Sequence, residues 1–400
     1  MRKISRAILA VACAAALAQT ALAAPATTQH HGHLRYRITI LPSLGGNNSR
    51  GNSINDLGIV AGYSKLPGNA VRHASVWAFG QQLDLGSLGG PAFNSSVAWP
   101  VKNVVGLISG ISETGEVNPL GETWSCGFFF ATSGNICYGF VKSLWGGPMQ
   151  PLLPLPGGYN SYAADTNNRG TTVGWAENGV HDPTCAPESD QVLQFKPVTW
   201  SWGSSQPHEL PLISGDTSGA ATAINDRGQI VGISGECDQA VGRRTAIHAV
   251  LWENGRVTDL GNIGGTSWNT PTAINARGDI VGFAGTDPDD LDGIFTHAFV
   301  KPRHGPMRDL GVLPGDISST ASGINARGDI VGYSNDAEGN IRAVLWQDGV
   351  PIELASLAPD FAGDLVLATD INDFGQITGR GTDPDTGEAV AFLATPMLGR

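Results

Sequence analysis

The chain has 400 residues, of which 15% are charged, with 54 glycines, 24 prolines and a formal net charge of −12. So few charges among so many turn-forming residues suit a turn-dense β protein, and the acidic balance argues against nucleic acid or anionic lipid as a partner. The first segment reads as a signal peptide, residues 1–23. Arg2, Lys3 and Arg6 form its basic end, Ala7 to Ala18 its apolar run, and Ala21-Leu22-Ala23 its cleavage site. The apolar run is too short to span a bilayer, no later segment is long enough, and Ala10-Val11-Ala12 before Cys13 is a poor lipidation box. The expected location is therefore secreted or periplasmic. Residues 24–33 form a flexible leader whose His30, His31 and His33 are read as incidental rather than as metal ligands.

One repeat occupies residues 34–397. Asn-x-x-Gly units begin at Asn55, Asn167, Asn225, Asn275, Asn325 and Asn372, each with a further glycine four residues after the first. A decayed copy fits Val97 to Gly106, with Asn103 in place of the first glycine. On that reading the last glycines fall at 62, 106, 174, 232, 282, 332 and 379. The intervals of 68 and 58 that follow Gly106 and Gly174 place insertions in the second and third units. A period near 50 means one supersecondary unit copied along the chain.

Each unit holds three pieces. The first is an apolar stretch leading through Asn-x-x-Gly into Ile-Val-Gly. The second resembles His248-Ala249-Val250-Leu251-Trp252, and the third resembles Asp259-Leu260-Gly261. These short runs, rich in Val, Ile, Leu and Trp and bounded by Gly, Asn, Asp and Pro, are strands. Asn-x-x-Gly reads as a hairpin turn with its glycine at φ > 0, and Glu253-Asn254-Gly255 as a second hairpin. Two hairpins per unit make four strands, and the chain is expected to be all-β, a seven-bladed propeller of four-stranded antiparallel blades. Arg35 to Leu41 matches the third piece, while the chain finishes on the second piece, Ala389 to Leu393. The N-terminal strand should therefore complete the last blade and close the ring.

His248 through Asp259-Leu260-Gly261-Asn262-Ile263-Gly264-Gly265 to Ile274-Asn275 and Gly282 resembles the HAF repeat of extracellular bacterial proteins. The resemblance covers about residues 36 to 393 and implies an exported repeat protein. It implies no activity or ligand for particular residues, and units two and three depart most from the pattern.

Function is read from what does not repeat. Four cysteines follow the signal segment, and of their three pairings Cys126–Cys137 with Cys185–Cys237 is favoured over metal ligation or free thiols. The first pair shares one insertion, and the second joins loops of successive units. Trp77, Trp200, Trp252 and Trp346 end the second piece and should pack between blades, as should the repeated His73, His248 and His297. Trp124, Trp175, Trp202 and Trp268 fall outside that register and are placed in loops or insertions. Aromatics in pinned loops suit a binding surface, so Trp124, Phe128, Trp175 and Glu122 are the candidate ligand-binding residues.

The ligand expected is an extracellular or periplasmic glycan or protein, taken by a monomer that needs no cofactor. An exported hydrolase or lyase acting on a polysaccharide is the alternative. It would need Glu113, Glu122, His181, Asp182, Glu188 and Asp190 to converge. The acidic loops at 286–293 and 382–388 could take Ca²⁺, but Asp-Pro-Asp is ordinary turn chemistry, and no metal site is expected there.

Overall fold

The computed structural model describes residues 34–397 except 98, 125, 127–129, 131–133, 238–243 and 291. Residues 1–33, where a signal peptide and leader are expected, and Phe128 lie outside the described residues. The strands form seven four-stranded antiparallel sheets arranged as a ring of blades. Strand β1 (Arg35–Ile40) belongs to the last blade. Blade one is β2 (Ser49–Ile54), β3 (Val60–Lys65), β4 (Arg72–Ala78) and β5 (Gln81–Asp84). Blade two is β6 (Ser95–Ser96), β7 (Leu107–Val117), β8 (Asn135–Ser143) and β9 (Gln150–Leu152). Blade three is β10 (Gly157–Thr166), β11 (Thr171–His181), β12 (Leu193–Ser201) and β13 (His208–Glu209). Blade four is β14 (Ser218–Ile224), β15 (Ile230–Gly235), β16 (His248–Glu253) and β17 (Arg256–Asp259). Blade five is β18 (Thr270–Ile274), β19 (Ile280–Gly285), β20 (Thr296–Lys301) and β21 (Arg308–Asp309). Blade six is β22 (Ser318–Ile324), β23 (Ile330–Asn335), β24 (Ile341–Gln347) and β25 (Val350–Glu353). Blade seven is β26 (Leu365–Ile371), β27 (Ile377–Thr382), β28 (Ala389–Met397) and, at its outer edge, β1. The pairing runs from Arg35↔Met397 to Ile40↔Phe392, so both ends of the described chain share one blade.

The first strands line the central channel, and from blade three round to blade one each touches the next. What joins them is the turn asparagine. Its Oδ1 accepts backbone N–H groups two and four residues on, as at Asn225, from Arg227 (3.0 Å) and Gln229 (3.1 Å). That bond pair fixes the plane of the amide, and its Nδ2 then donates to the turn carbonyl of the following blade. Asn167 reaches Asn225 O (3.1 Å), Asn225 reaches Asn275 O (3.1 Å) and Asn275 reaches Asn325 O (3.1 Å). Asn325 reaches Asn372 O (3.3 Å), Asn372 reaches Asn55 O (3.0 Å) and Asn55 reaches Asn103 O (2.9 Å). Asn103 completes the circle at Thr166 O (2.9 Å), one residue before Asn167. Outside this ring, Arg227, Arg277 and Arg327 donate to the carbonyls of Arg277, Arg327 and Asp373 at 3.1, 3.3 and 2.7 Å.

Asn103 corrects the reading of the second unit. It does not stand in for a glycine. It is the turn asparagine, with Oδ1 accepting Leu107 N–H at 3.0 Å, and Gly106 fills the glycine position at φ 78°. The copy is complete, and its last glycine is Gly110. A Cβ there would lie 2.2 Å from Ser96 O, as one at Gly232 would lie 2.0 Å from Ala220 O. The outer glycine of every unit is thus selected by close approach of the inner strand's backbone.

The other repeated residues are also used between or within blades. The indole N–H groups of Trp77, Trp200, Trp252 and Trp346 donate to Pro42, Leu153, Pro211 and Leu310 carbonyls at 2.8, 3.2, 2.6 and 3.1 Å. His73, His248 and His297 each place Nδ1 against the Asp of their own Asp-Leu-Gly, at 2.9, 2.8 and 2.8 Å. The second and third pieces of the unit are therefore chemically paired.

Two outcomes test this account. Deleting residues 34–42 should strip blade seven of its edge strand and lower the melting temperature sharply, which differential scanning calorimetry reads directly. At Asn225, substitution by Asp keeps the Oδ1 acceptor and loses the Nδ2 donor, whereas Ala loses both. Asn225→Ala should cost about 2–3 kcal/mol in denaturant unfolding and Asn225→Asp about half of that. Equal costs would mean that the turn alone selects the residue.

Candidate functional site

Antiparallel order puts the Asn-x-x-Gly turns at one end of the channel. The loops from second to third strand share the other end with the connections between blades. Of these loops the longest, 118–134, belongs to blade two; those of blades three and four, 182–192 and 236–247, come next. Part of each insertion is strand: β7 and β11 have 11 residues each, whereas β15, β19 and β23 have 6. Both expected disulfides are present, Cys126–Cys137 and Cys185–Cys237, with separations of 11 and 52 residues. In the chain-entropy view these offset roughly 3 and 4 kcal/mol of loop disorder. Asp182 ties the same loop to blade four, accepting Thr217 Oγ1 at 2.7 Å and Ser218 Oγ at 2.8 Å.

The candidate residues of blades two and three are packed inside this face. Trp124 is 4% exposed and stacks on Phe195, centroids 4.2 Å apart at 23°. Trp175 is 2% exposed and stacks on Tyr162 at 4.0 Å and 11°. Trp175 lies on β11, in register with Tyr162, rather than in a loop. Glu122 Oε1 accepts Val192 and Leu193 N–H at 2.6 and 2.7 Å. The blade-two insertion therefore docks on β12 of the next blade rather than folding back on its own. Trp124 Nε1 also donates to Glu177 Oε1 at 3.2 Å. Glu177 is fully buried and accepts Tyr159 N–H (3.1 Å) and both Asn160 N–H and Nδ2 (2.8 Å each). Burial first, and then the charge of Glu122, push Glu177 up to about 8; burial raises Glu122 as well.

The five acids and one histidine named for catalysis do not meet at one point. Glu113 is buried in blade two, holding Asn94 N and Nδ2 at 2.7 and 2.9 Å. Asp182 bridges blades three and four, while His181, Glu188 and Asp190 are exposed. Among the described residues no group of three or more His, Cys, Asp or Glu could hold a metal. In the two acidic loops, Asp287 Oδ1 accepts Asp289 N–H (2.9 Å) and Asp383 Oδ1 accepts Asp385 N–H (2.8 Å), the geometry of turns.

A feature the motifs do not reveal lies at the same mouth. The Arg72 guanidinium sits 4.7 Å above the Tyr63 ring and 4.8 Å from that of Phe130, a residue of the Cys126–Cys137 loop. Arg50, on β2, is in register with Tyr63, and its Nε is buried with no hydrogen-bond partner. Arg50 lies within electrostatic reach of Tyr63, Tyr333, Arg380 and Arg72. Blade seven stands between blades one and six, so the field of Tyr333 reaches Arg50 from two blades away. None of Arg50, Arg72 and Arg380 forms an ion pair among the described residues. Aligning the units five residues before the turn asparagine exposes the signal: Arg50 stands where other blades carry Tyr162, Ala220, Thr270, Thr320 and Leu367.

A cavity of about 180 Å³ at the opposite mouth is lined by Lys102, Asp56, Asp226 and Asp373 among others. Lys102 replaces the isoleucine that precedes the turn asparagine, pairs with Asp370 and donates to Ile371 O at 2.5 Å. Asp165, fully buried beside it, is pushed up to about 7 by burial.

No protein-family model matches the chain, and no curated protein matches its sequence. Among solved structures it is similar to TolB from Acinetobacter baumannii, at 8% identity and TM-score 0.38, over 85% of this chain and 79% of that one. It is similar to an oligogalacturonate lyase from Vibrio parahaemolyticus, at 10% identity and TM-score 0.40, over 91% and 98%. It is also similar to a PQQ-bound aldose sugar dehydrogenase from Streptomyces coelicolor, at 10% identity and TM-score 0.36, over 91% and 99%. Nothing about function is carried from these likenesses to this chain.

The buried carboxylates give a pH signature. A raised Glu177 holds its proton longer in the fold than in the unfolded chain, so stability falls as pH rises from the usual carboxylate range to about 8. Glu122→Gln keeps an acceptor for Val192 and Leu193 and removes the charge beside Glu177. The loss of stability between about pH 5 and 8.5 should then shrink by about 1 kcal/mol in urea titrations.

Proposed function

We propose that the chain is an exported binding module whose ligand surface is the long-loop face of blades two and three and the channel mouth beside them. The observation that carries this is the pinning of that face. Loops 118–134 and 182–192 are each closed or anchored by a disulfide, and the first delivers Phe130 onto Arg72 of blade one. Loops kept long and held in one shape are better explained by recognition than by the stability of the disc. Disulfides and the signal-like residues 1–23 support export. On this reading the HAF-type units build the disc and the insertions carry its specificity. Trp124, Trp175 and Glu122 act by shaping the surface from beneath.

Catalysis on a polysaccharide has less support. Glu122 and Glu177, the paired carboxylates of this face, are 2% and 0% exposed and are engaged by N–H donors. A glycan and peptide array with the purified chain tests the reading, repeated with Cys126→Ser/Cys137→Ser. The variant should lose binding by about tenfold or more with its circular dichroism unchanged, because an unpinned loop must be ordered on binding. A ligand whose binding ignores this variant but is abolished by Asp226→Ala, on the opposite mouth, would move the site to the Asn-x-x-Gly face.

A further inference from the structure

We propose that the long-loop mouth of the channel holds the carboxylate of an acidic sugar, gripped by Arg50 and Arg380 and seated beside the Tyr333 ring. The inference rests on the long-loop face being the ligand surface and adds the chemistry of what binds there.

The argument begins with an unpaired charge. Guanidinium groups withdrawn from water are paired or hydrogen-bonded in stable folds, because desolvation without a partner is costly. Arg50 Nε is buried without a partner, and the groups that act on it most strongly are Tyr63, Tyr333 and two further arginines, with no acid among them. Arg72 has an acid in reach, Glu113, but that carboxylate already accepts Asn94 N–H and Nδ2 on one oxygen and Asn135 Nδ2 on the other. The cluster is also local. The whole chain carries −12, and the arginines of the opposite face are built into it differently: Arg277 and Arg327 pair with Asp279 and Asp329 at 2.9 and 3.0 Å. Three like charges with no ion pair of their own, and one nearby acid already engaged, leave room for an anion from outside.

Geometry narrows the class. Arg50 is in register with Tyr63 on blade one, and Arg380 and Tyr333 hold the place of Tyr63, one residue after the last glycine, on the neighbouring blades seven and six, so these groups stand at one level of three successive blades. A guanidinium fork matches a carboxylate with two parallel hydrogen bonds. Arg72, clamped between Tyr63 and Phe130, contributes field rather than reach. Aromatic rings beside such a fork suit a ligand with a carboxylate at one end and a flat C–H face behind it, which is the shape of a uronic acid.

Isothermal titration calorimetry on the full chain decides the matter, with glucuronate, glucose, inorganic phosphate and triglycine as probes. Glucuronate should bind, glucose should not, and affinity should fall several-fold between about 50 and about 300 mM salt. Arg50→Gln and Arg380→Gln should each weaken glucuronate by about tenfold or more, with Arg50→Lys between wild type and Gln. Arg380 is the safer position should Arg50→Gln lower the melting temperature. The proposal is overturned by no uptake of glucuronate, by equal binding of glucose, or by tighter binding of phosphate or triglycine. Wild-type affinity in Arg380→Gln would also sink it. An uncharged array ligand that maps to this face and ignores both arginines would end this inference and leave the face reading standing. Glucuronate binding that needs Arg50 but ignores Cys126→Ser/Cys137→Ser would do the reverse.

Discussion

The amide of the turn asparagine is the interaction on which the rest of this molecule depends. One oxygen satisfies two backbone donors of its own turn, and one nitrogen reaches the carbonyl of the next turn. Because the first pair of bonds fixes the amide plane, the second bond has a defined direction, and the blade-to-blade rotation follows from it. A neutral hydrogen bond is worth about 1 kcal/mol net. Seven around a closed circle reach the scale of a whole domain's stability, about 5–15 kcal/mol.

That placement divides the labour between the two faces. The Asn-x-x-Gly end has almost no freedom, since a change in one turn alters its own hairpin and its neighbour's contact together. Lys102, paired with Asp370 inside the same end, stands where five other blades place isoleucine. The loops at the other end touch none of these bonds. Insertions could therefore accumulate there without disturbing the ring, and blades two and three hold the longest, locked to blades three and four by Glu122 and Asp182.

Seven blades, their strand content, the shared last blade and both disulfides were legible in the sequence because each rests on repetition or on spacing. Asn103 is harder to read: the short interval from Gly62 to Gly106 suggests a decayed copy, whereas the intact copy ends at Gly110. The inter-blade bond of the asparagine was invisible because a hairpin turn already explains the residue locally. Trp124 and Glu122 were legible as unusual but not as buried, since their partners Phe195, Val192 and Leu193 lie some 70 residues on in another blade. Arg50 carried no motif at all. A residue that occurs once in a position occupied seven times is detectable only after the units have been superposed.

Closure through β1 has a consequence for how the chain reaches this state. The strand that leaves the ribosome first is the last to find its partner, because Ile40 must wait for Phe392 and Arg35 for Met397. Until then blade seven has an open edge, with unpaired backbone groups on β28 that could recruit a strand from another molecule. Blades one to six can assemble in order from near-neighbour contacts, but the final joint has the longest contact separation in the protein, and such pairings form slowly. The vulnerable species is therefore a nearly complete disc, and its lifetime is set by the time two chain ends need to meet.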